Sequence, residues 1–121
     1  MIVQSVQLAK WRKLKATNIK LLDTTVKSGD PIFAPSWEIV LAVKRGEITE
    51  EQYTERYIEL MRKSYFANRE KWHSVMRDGE LVAIACYCSP GKFCHRILLI
   101  DIFKKLCEKH NIPFEYKGEF I

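Results

Sequence analysis

The stretch Leu81-Val82-Ala83-Ile84-Ala85-Cys86-Tyr87-Cys88-Ser89-Pro90-Gly91-Lys92-Phe93-Cys94-His95-Arg96 decides the fold of this chain. Its first half is a short, almost unbroken apolar run, the pattern of a strand buried on both faces of a parallel sheet. Ser89-Pro90-Gly91 ends the strand, and from His95 to Asn111 the pattern is that of one long helix. Cys86, Cys88, Cys94, His95, Lys92 and Arg96 therefore gather where a buried strand turns into a helix. Ligands commonly bind at that edge of an open parallel sheet. The start of the helix adds unpaired N–H groups and a positive dipole end, both suited to an anion.

Upstream, Met1 to Val6 reads as a first strand and Gln7 to Leu14 as a short helix, with Leu8, Trp11 and Leu14 at helical spacing. Ile19 to Thr24 is a second strand, and Val26 to Pro35 is a loop long enough to suggest function. Ser36 is placed to cap a helix over Trp37–Arg45, with Gly46 to end it. Thr49 and Gln52 have the spacing of a capping box, opening a helix with Tyr53, Tyr57, Leu60, Met61 and Ser64 on one face. Phe66 to Met76 reads as helix and Asp78-Gly79 as a turn before the central strand. Beyond it, the last helix is apolar almost all round, so it packs against the sheet. Asn111-Ile112-Pro113 stops it, and Phe114–Lys117 forms a short edge strand.

The order strand, helix, strand, helices, strand, helix, strand predicts a single α/β domain over residues 1–121. The expectation is a mostly parallel sheet of about four strands flanked by helices, Rossmann- or flavodoxin-like. Right-handed crossovers suggest the spatial order second, first, third, fourth strand, which brings Ser5 and Gln7 beside the 88–96 loop.

Composition narrows the functional classes. With 47% hydrophobic residues and a length of 121, the chain can bury a proper core, and disorder is excluded. No apolar run approaches the roughly 18 residues of a membrane span, and the first residues lack the pattern of a signal peptide. A cytoplasmic protein with reduced thiols is expected. The net charge of +5 favours anionic partners. Lys10, Arg12, Lys13, Lys15 and Lys20 crowd the first twenty residues with no acid among them. A solvated helix face explains them better than a nucleic-acid surface, which would interleave aromatic residues.

Three chemistries suit the cysteine stretch. As a nucleophile, Cys94 would draw on the helix start, His95 and Arg96 to lower its thiol pKa. Cys88 sits where cysteine-dependent phosphatases and sulfurtransferases hold theirs. Those enzymes place arginine six residues after the cysteine, whereas here Arg96 is eight residues on. As metal ligands, Cys86, Cys88, Cys94 and His95 make a set of four, but no Cys-x2-Cys knuckle is present and no metal or other cofactor is expected. As an anion site, Gly91 permits close backbone approach while Lys92 and Arg96 supply charge. The plain alternatives are that Cys86 and Cys88 are small buried hydrophobes and that Tyr53 and Tyr57 belong to the core. His73 and His110 read as surface residues. Arg96, on a largely apolar helix, requires a partner: a ligand phosphate, or a carboxylate such as Asp23 or Glu38.

The chain resembles a widespread family of small bacterial and phage proteins, domain of unknown function 488. The resemblance rests on Ala34-Pro35-Ser36-Trp37-Glu38, on Tyr53-Thr54-Glu55-Arg56-Tyr57, and above all on Cys86 to Arg96. It implies an α/β fold with a pocket at the Cys-His-Arg loop and assigns no catalytic residue. One departure is visible: many relatives follow the second strand with Asp-x-Arg, where this chain has Asp23-Thr24-Thr25.

The reading that results is a binding domain for a phosphorylated small molecule, a nucleotide or nucleotide-derived signal. Its phosphate is expected on Lys92, Arg96 and the amides after Cys88, with Gly91 close by, and its flat part on Trp37 or Tyr57. Ser5, Tyr53, Cys94 and His95 complete the expected site. A cysteine-dependent enzyme using Cys88 or Cys94 is the second reading, and nucleic-acid binding by the basic N-terminal helix the third.

Overall fold

The computed structural model describes residues 1–10, 13, 17, 19–86 and 93–120. Four strands form one sheet: β1 (Ile2–Gln7), β2 (Lys20–Asp23), β3 (Leu81–Cys86) and β4 (Glu115–Phe120). Every strand pair is parallel, so each connection crosses over the sheet. The helices are α1 (Trp37–Lys44), α2 (Glu50–Ala67), α3 (Arg69–Arg77) and α4 (His95–Lys109). This is the expected α/β, Rossmann- or flavodoxin-like class.

The local signals explain most element ends. Ser36 Oγ accepts from the Ile39 N–H, and Gly46 leaves α1 with φ at +73°. At α2 the capping box is complete: Thr49 Oγ1 accepts from Gln52 N–H at 3.1 Å, and Gln52 Oε1 accepts from Thr49 N–H at 2.9 Å. Asn68 separates α2 from α3, so Phe66 closes α2 and is exposed rather than opening the next helix. At the other end, α4 stops at Lys109, and Asn111 takes φ +56°. β4 runs to Phe120, three residues past the predicted end at Lys117. Of the predicted helix over Gln7–Leu14, Leu8–Lys10 form a 3-10 turn and Lys13 is α-helical; Trp11, Arg12 and Leu14 lie outside the described residues.

The strand order is β2-β3-β1-β4, not second, first, third, fourth. Right-handed crossovers are compatible with both orders, so handedness does not choose between them. Side chains at β2 do. Thr24 gives both its backbone N–H (3.0 Å) and its hydroxyl (2.8 Å) to the Ala85 carbonyl of β3. At the opposite end of β2, Lys20 pairs with Asp78 and Glu80 just before β3. These contacts fix β2 against β3, and β1 then takes the other side of β3 in register Ser5↔Ile84.

The sheet has two different faces. Val3, Leu22, Val82 and Ile84 meet the helices through Phe33, Tyr57, Met61, Trp72, Leu99 and Phe103 in the main core. Val6, Ala83 and Ala85 form a smaller cluster with Leu8, Ile19, Leu21 and Phe120. Alternation along each strand thus serves two apolar layers, as parallel strands require.

The loop after β2 is knotted onto the strand end. Asp23 Oδ1 accepts from Thr25 N–H and Oγ1–H, Asp23 Oδ2 from Ser28, and the Asp23 carbonyl from Asp30 N–H at 2.8 Å. Gly29 closes this knot: a Cβ there would lie 2.5 Å from the Asp23 carbonyl oxygen and 2.6 Å from that of Thr25. Both neighbours are backbone and cannot swing away. Gly29→Ala should therefore lower stability by about 1–3 kcal/mol, read as a shifted urea midpoint, and an unchanged midpoint would show that the knot is not rigid.

Candidate functional site

A cleft of about 580 Å³ opens at the carboxyl ends of β2 and β3. Its walls come from the loop after β2 (Thr25, Val26, Lys27), from α1 (Trp37, Val40, Val43, Lys44) and from Tyr53 of α2. Cys86, Phe93, Cys94 and His95 form the remaining side. The volume falls within the roughly 300–1,000 Å³ of small-molecule sites. A larger hollow of about 810 Å³ lies at the opposite, amino end of the sheet, around Met1, Met76 and Phe114. The residues that line it include no cysteine or histidine, whereas the smaller cleft is lined by Cys86, Cys94 and His95.

His95 is the best-fixed group in the cleft. Its Nε2 lies 2.7 Å from the Thr24 carbonyl oxygen and 3.0 Å from Thr24 Oγ1. A carbonyl can only accept, so Nε2 carries the proton and donates it. The Thr24 hydroxyl proton is already given to Ala85, which leaves Thr24 Oγ1 as an acceptor too. Nδ1 is therefore the bare nitrogen, and it faces Cys94 Sγ at 3.7 Å. Burial, against the Thr24 hydrogen bond and helped by the Arg96 charge, lowers the His95 pKa to about 4. The imidazole is neutral at physiological pH, with its lone pair on the thiol.

The Cys86 and Cys94 sulfurs are in bonding contact, as in a disulfide, yet their Cα atoms are 7.7 Å apart. That is wider than the roughly 4.4–6.8 Å that disulfides span. The backbones are thus set for two side chains converging on one point rather than for an ordinary cystine. Arg96 donates from Nη1 to Cys86 Sγ at 2.8 Å. Cys107 is buried elsewhere on α4, where burial raises its thiol pKa.

Arg96 is 1% exposed and its Nη2 reaches Glu119 of β4 at 3.2 and 3.3 Å. Its internal partner is Glu119, not Asp23 or Glu38. Asp23 is engaged in the knot with Thr25 and Ser28. Ser5 joins the same buried group, donating to Glu119 Oε1 at 2.6 Å and meeting the Tyr116 hydroxyl at 2.7 Å. Ser5 and Arg96 therefore lie behind the cleft wall, where they bind the start of α4 to β1 and β4.

Of the other residues expected in the site, Trp37 is 52% exposed at the cleft rim, and Tyr53 lines the cleft with its ring 5.3 Å from that of Phe93. Tyr57 is fully buried beneath them and donates its hydroxyl to the Phe33 carbonyl at 2.8 Å. Its burial raises the phenol pKa well above the ordinary value. Cys88, Gly91 and Lys92 lie outside the described residues. Sequence reasoning missed Lys27 and Lys44, which stand exposed on the cleft, because isolated lysines carry no motif. It also missed a second cluster in which the Tyr65 hydroxyl lies 2.8 Å from His73 Nε2 and 3.2 Å from His110 Nε2.

The fold and cleft define an α/β protein with a cysteine- and histidine-lined site at the carboxyl edge of a parallel sheet. Residues 12–106 match the family model described as the active DUF488-N3 subclade, and the chain belongs to that family. No curated protein and no solved structure matches it. Among the described residues no helix is long and apolar enough to cross a membrane.

The Arg96–Glu119 pair yields a direct expectation. Removing one partner of a buried ion pair strands the other, at a cost of about 3 kcal/mol or more. Arg96→Ala should lose that much stability in equilibrium urea unfolding. A loss below about 1 kcal/mol, typical of exposed pairs, would show that the pair does not hold α4 to β4.

Proposed function

We propose that the protein binds a phosphorylated small molecule of the nucleotide class in the cleft between the loop after β2, α1 and the start of α4. The observation that carries this reading is the division of the cleft lining. Pro35, Val40, Val43, Tyr53, Phe93 and the half-exposed Trp37 offer flat apolar surface, while Lys27 and Lys44 add exposed cations. A nucleotide has the same division, a flat base and an anionic end. Trp37 can stack on the base, and the two lysines can neutralise phosphate. In this reading Lys27 and Lys44 take the cationic role that was expected of Arg96, which is buried against Glu119 behind the cleft wall. A reducing cytoplasmic setting suits the paired thiols.

A second reading, turnover by Cys94, is supported by the bare Nδ1 of His95 beside its sulfur. The ring can accept the S–H hydrogen bond in the tautomer that the Thr24 carbonyl fixes. With a pKa of about 4 it does not hold the proton at neutral pH, so the start of α4 and the nearby Arg96 charge must lower the thiol pKa. Cys94 should then alkylate with iodoacetamide well below the ordinary thiol pKa of about 8.5, and slow labelling from pH 6 to 9 would remove this reading.

Isothermal titration with adenosine and guanosine 5′-monophosphate, each against the free nucleoside, tests the main reading. At least one nucleotide should bind and its nucleoside should bind more weakly. Replacing both Lys27 and Lys44 by alanine should weaken the nucleotide by about tenfold, the lower end for charge-assisted bonds at exposed positions. Equal heats for nucleotide and nucleoside, or no binding of either, would contradict the reading.

A further inference from the structure

Two thiols and an imidazole nitrogen converge at the inner end of the cleft. The ligating atoms of Cys86, Cys94 and His95 all lie within 4.8 Å of one another, and all three residues are buried. From this geometry we infer that Cys86, Cys94 and His95 form a site for a thiophilic divalent cation of the zinc class, open towards the cleft.

Distance is the first support. With metal–sulfur bonds of about 2.3 Å and metal–nitrogen bonds of about 2.0–2.1 Å, a tetrahedral site separates sulfur from nitrogen by about 3.6 Å. Cys94 Sγ and His95 Nδ1 are 3.7 Å apart. The Cys86 and Cys94 sulfurs are themselves in bonding contact, so an ion enters the reduced pair only as they part, and the 7.7 Å between the Cα atoms leaves room for that.

The second support is the tautomer. A metal-binding imidazole usually donates its other N–H to a carbonyl or carboxylate, which fixes the ring and bares the ligating nitrogen. His95 does this through Nε2 and the Thr24 carbonyl, so Nδ1 already points a lone pair at the sulfurs.

Charge is the third. Two thiolates, a neutral imidazole and a dication sum to zero, which suits burial. Arg96 donates to Cys86 Sγ, and Glu119 offsets the arginine charge. Soft sulfur ligands with one nitrogen select zinc over magnesium or calcium.

All three residues line the cleft, so the remaining coordination position faces its interior. A water or an anionic oxygen of a cleft ligand would complete the shell. The site itself stands on the three side chains and does not depend on which molecule the cleft binds.

Cobalt(II) is the probe, because thiolate ligation gives it an intense near-ultraviolet charge-transfer band. The full chain, reduced and stripped with a chelator, is titrated with cobalt(II) and then with zinc(II). The band should saturate at one equivalent and disappear as zinc displaces cobalt. Cys94→Ser should weaken binding at least 100-fold, and Cys107→Ala should leave it unchanged. Since Cys86→Ser could disturb folding, Cys86 is read in the unaltered protein by mass-spectrometric mapping of iodoacetamide labelling. One equivalent of zinc should protect Cys86 and Cys94 and leave Cys107 as it was. No band at one equivalent, a band that survives in Cys94→Ser, or zinc that protects neither cysteine would overturn the inference. Nucleotide titration of the stripped protein is a separate measurement, so failure of the metal site and failure of the cleft reading remain distinguishable.

Discussion

The site depends on one hydrogen bond, from His95 Nε2 to the carbonyl of Thr24. It crosses from the first residue of α4 to the end of β2, and it is available only because β2 lies directly against β3. The Thr24 hydroxyl and amide, both given to Ala85, hold the acceptor in place. A carbonyl cannot donate, so the imidazole has a single neutral tautomer there. From that follow the bare Nδ1, its aim at Cys94, and the low pKa that keeps the ring uncharged. A backbone acceptor is also insensitive to most substitutions at position 24. The side chain sets the position of the strand end, and the main chain does the orienting.

A second constraint acts from below. Arg96 occupies a fully buried position next to His95, where an unbalanced charge would be untenable. Glu119 balances it, Ser5 donates its hydroxyl proton to that carboxylate, and the Tyr116 hydroxyl in turn donates to Ser5 Oγ. The network joins α4, β1 and β4 at the carboxyl edge of the sheet. It lies behind the cleft wall that carries Cys86, Cys94 and His95. Buried ion pairs add little net stability over apolar packing. This one has a local consequence instead, since the guanidinium also donates to Cys86 Sγ.

Elements with strong periodicity were legible in the sequence. The run from Leu81 to Cys86, the capping box at Thr49 and the apolar α4 each admit one reading. The strand order was not legible, because the handedness rule permits both arrangements and the deciding contacts of Thr24 and Lys20 appear only in three dimensions. The partner of Arg96 was missed for a related reason: β4 was expected to stop at Lys117, which left Glu119 outside any element. Gly118, at φ +87°, carries the strand past that point beside a register shift against β1. Trp37, Tyr53, Cys94 and His95 were legible as site residues because a motif or an aromatic pair marks them. Lys27 and Lys44 come from separate segments with no shared pattern, and only the fold brings both to one cleft. The Tyr65–His73–His110 cluster likewise joins two helices and a helix end far apart in the chain.

The tautomer of His95 tests the account most directly. In protein carrying ¹⁵N-labelled histidine, long-range ¹H–¹⁵N correlations distinguish the two ring nitrogens, and a His95→Gln sample assigns the signal among His73, His95 and His110. At neutral pH in the presence of a chelator, His95 should show a protonated Nε2 and a bare Nδ1, and it should stay neutral down to about pH 5. A protonated Nδ1, or an imidazolium at pH 7, would mean that the Thr24 carbonyl does not set the ring. Neither the thiol contact nor the three-ligand site would then stand.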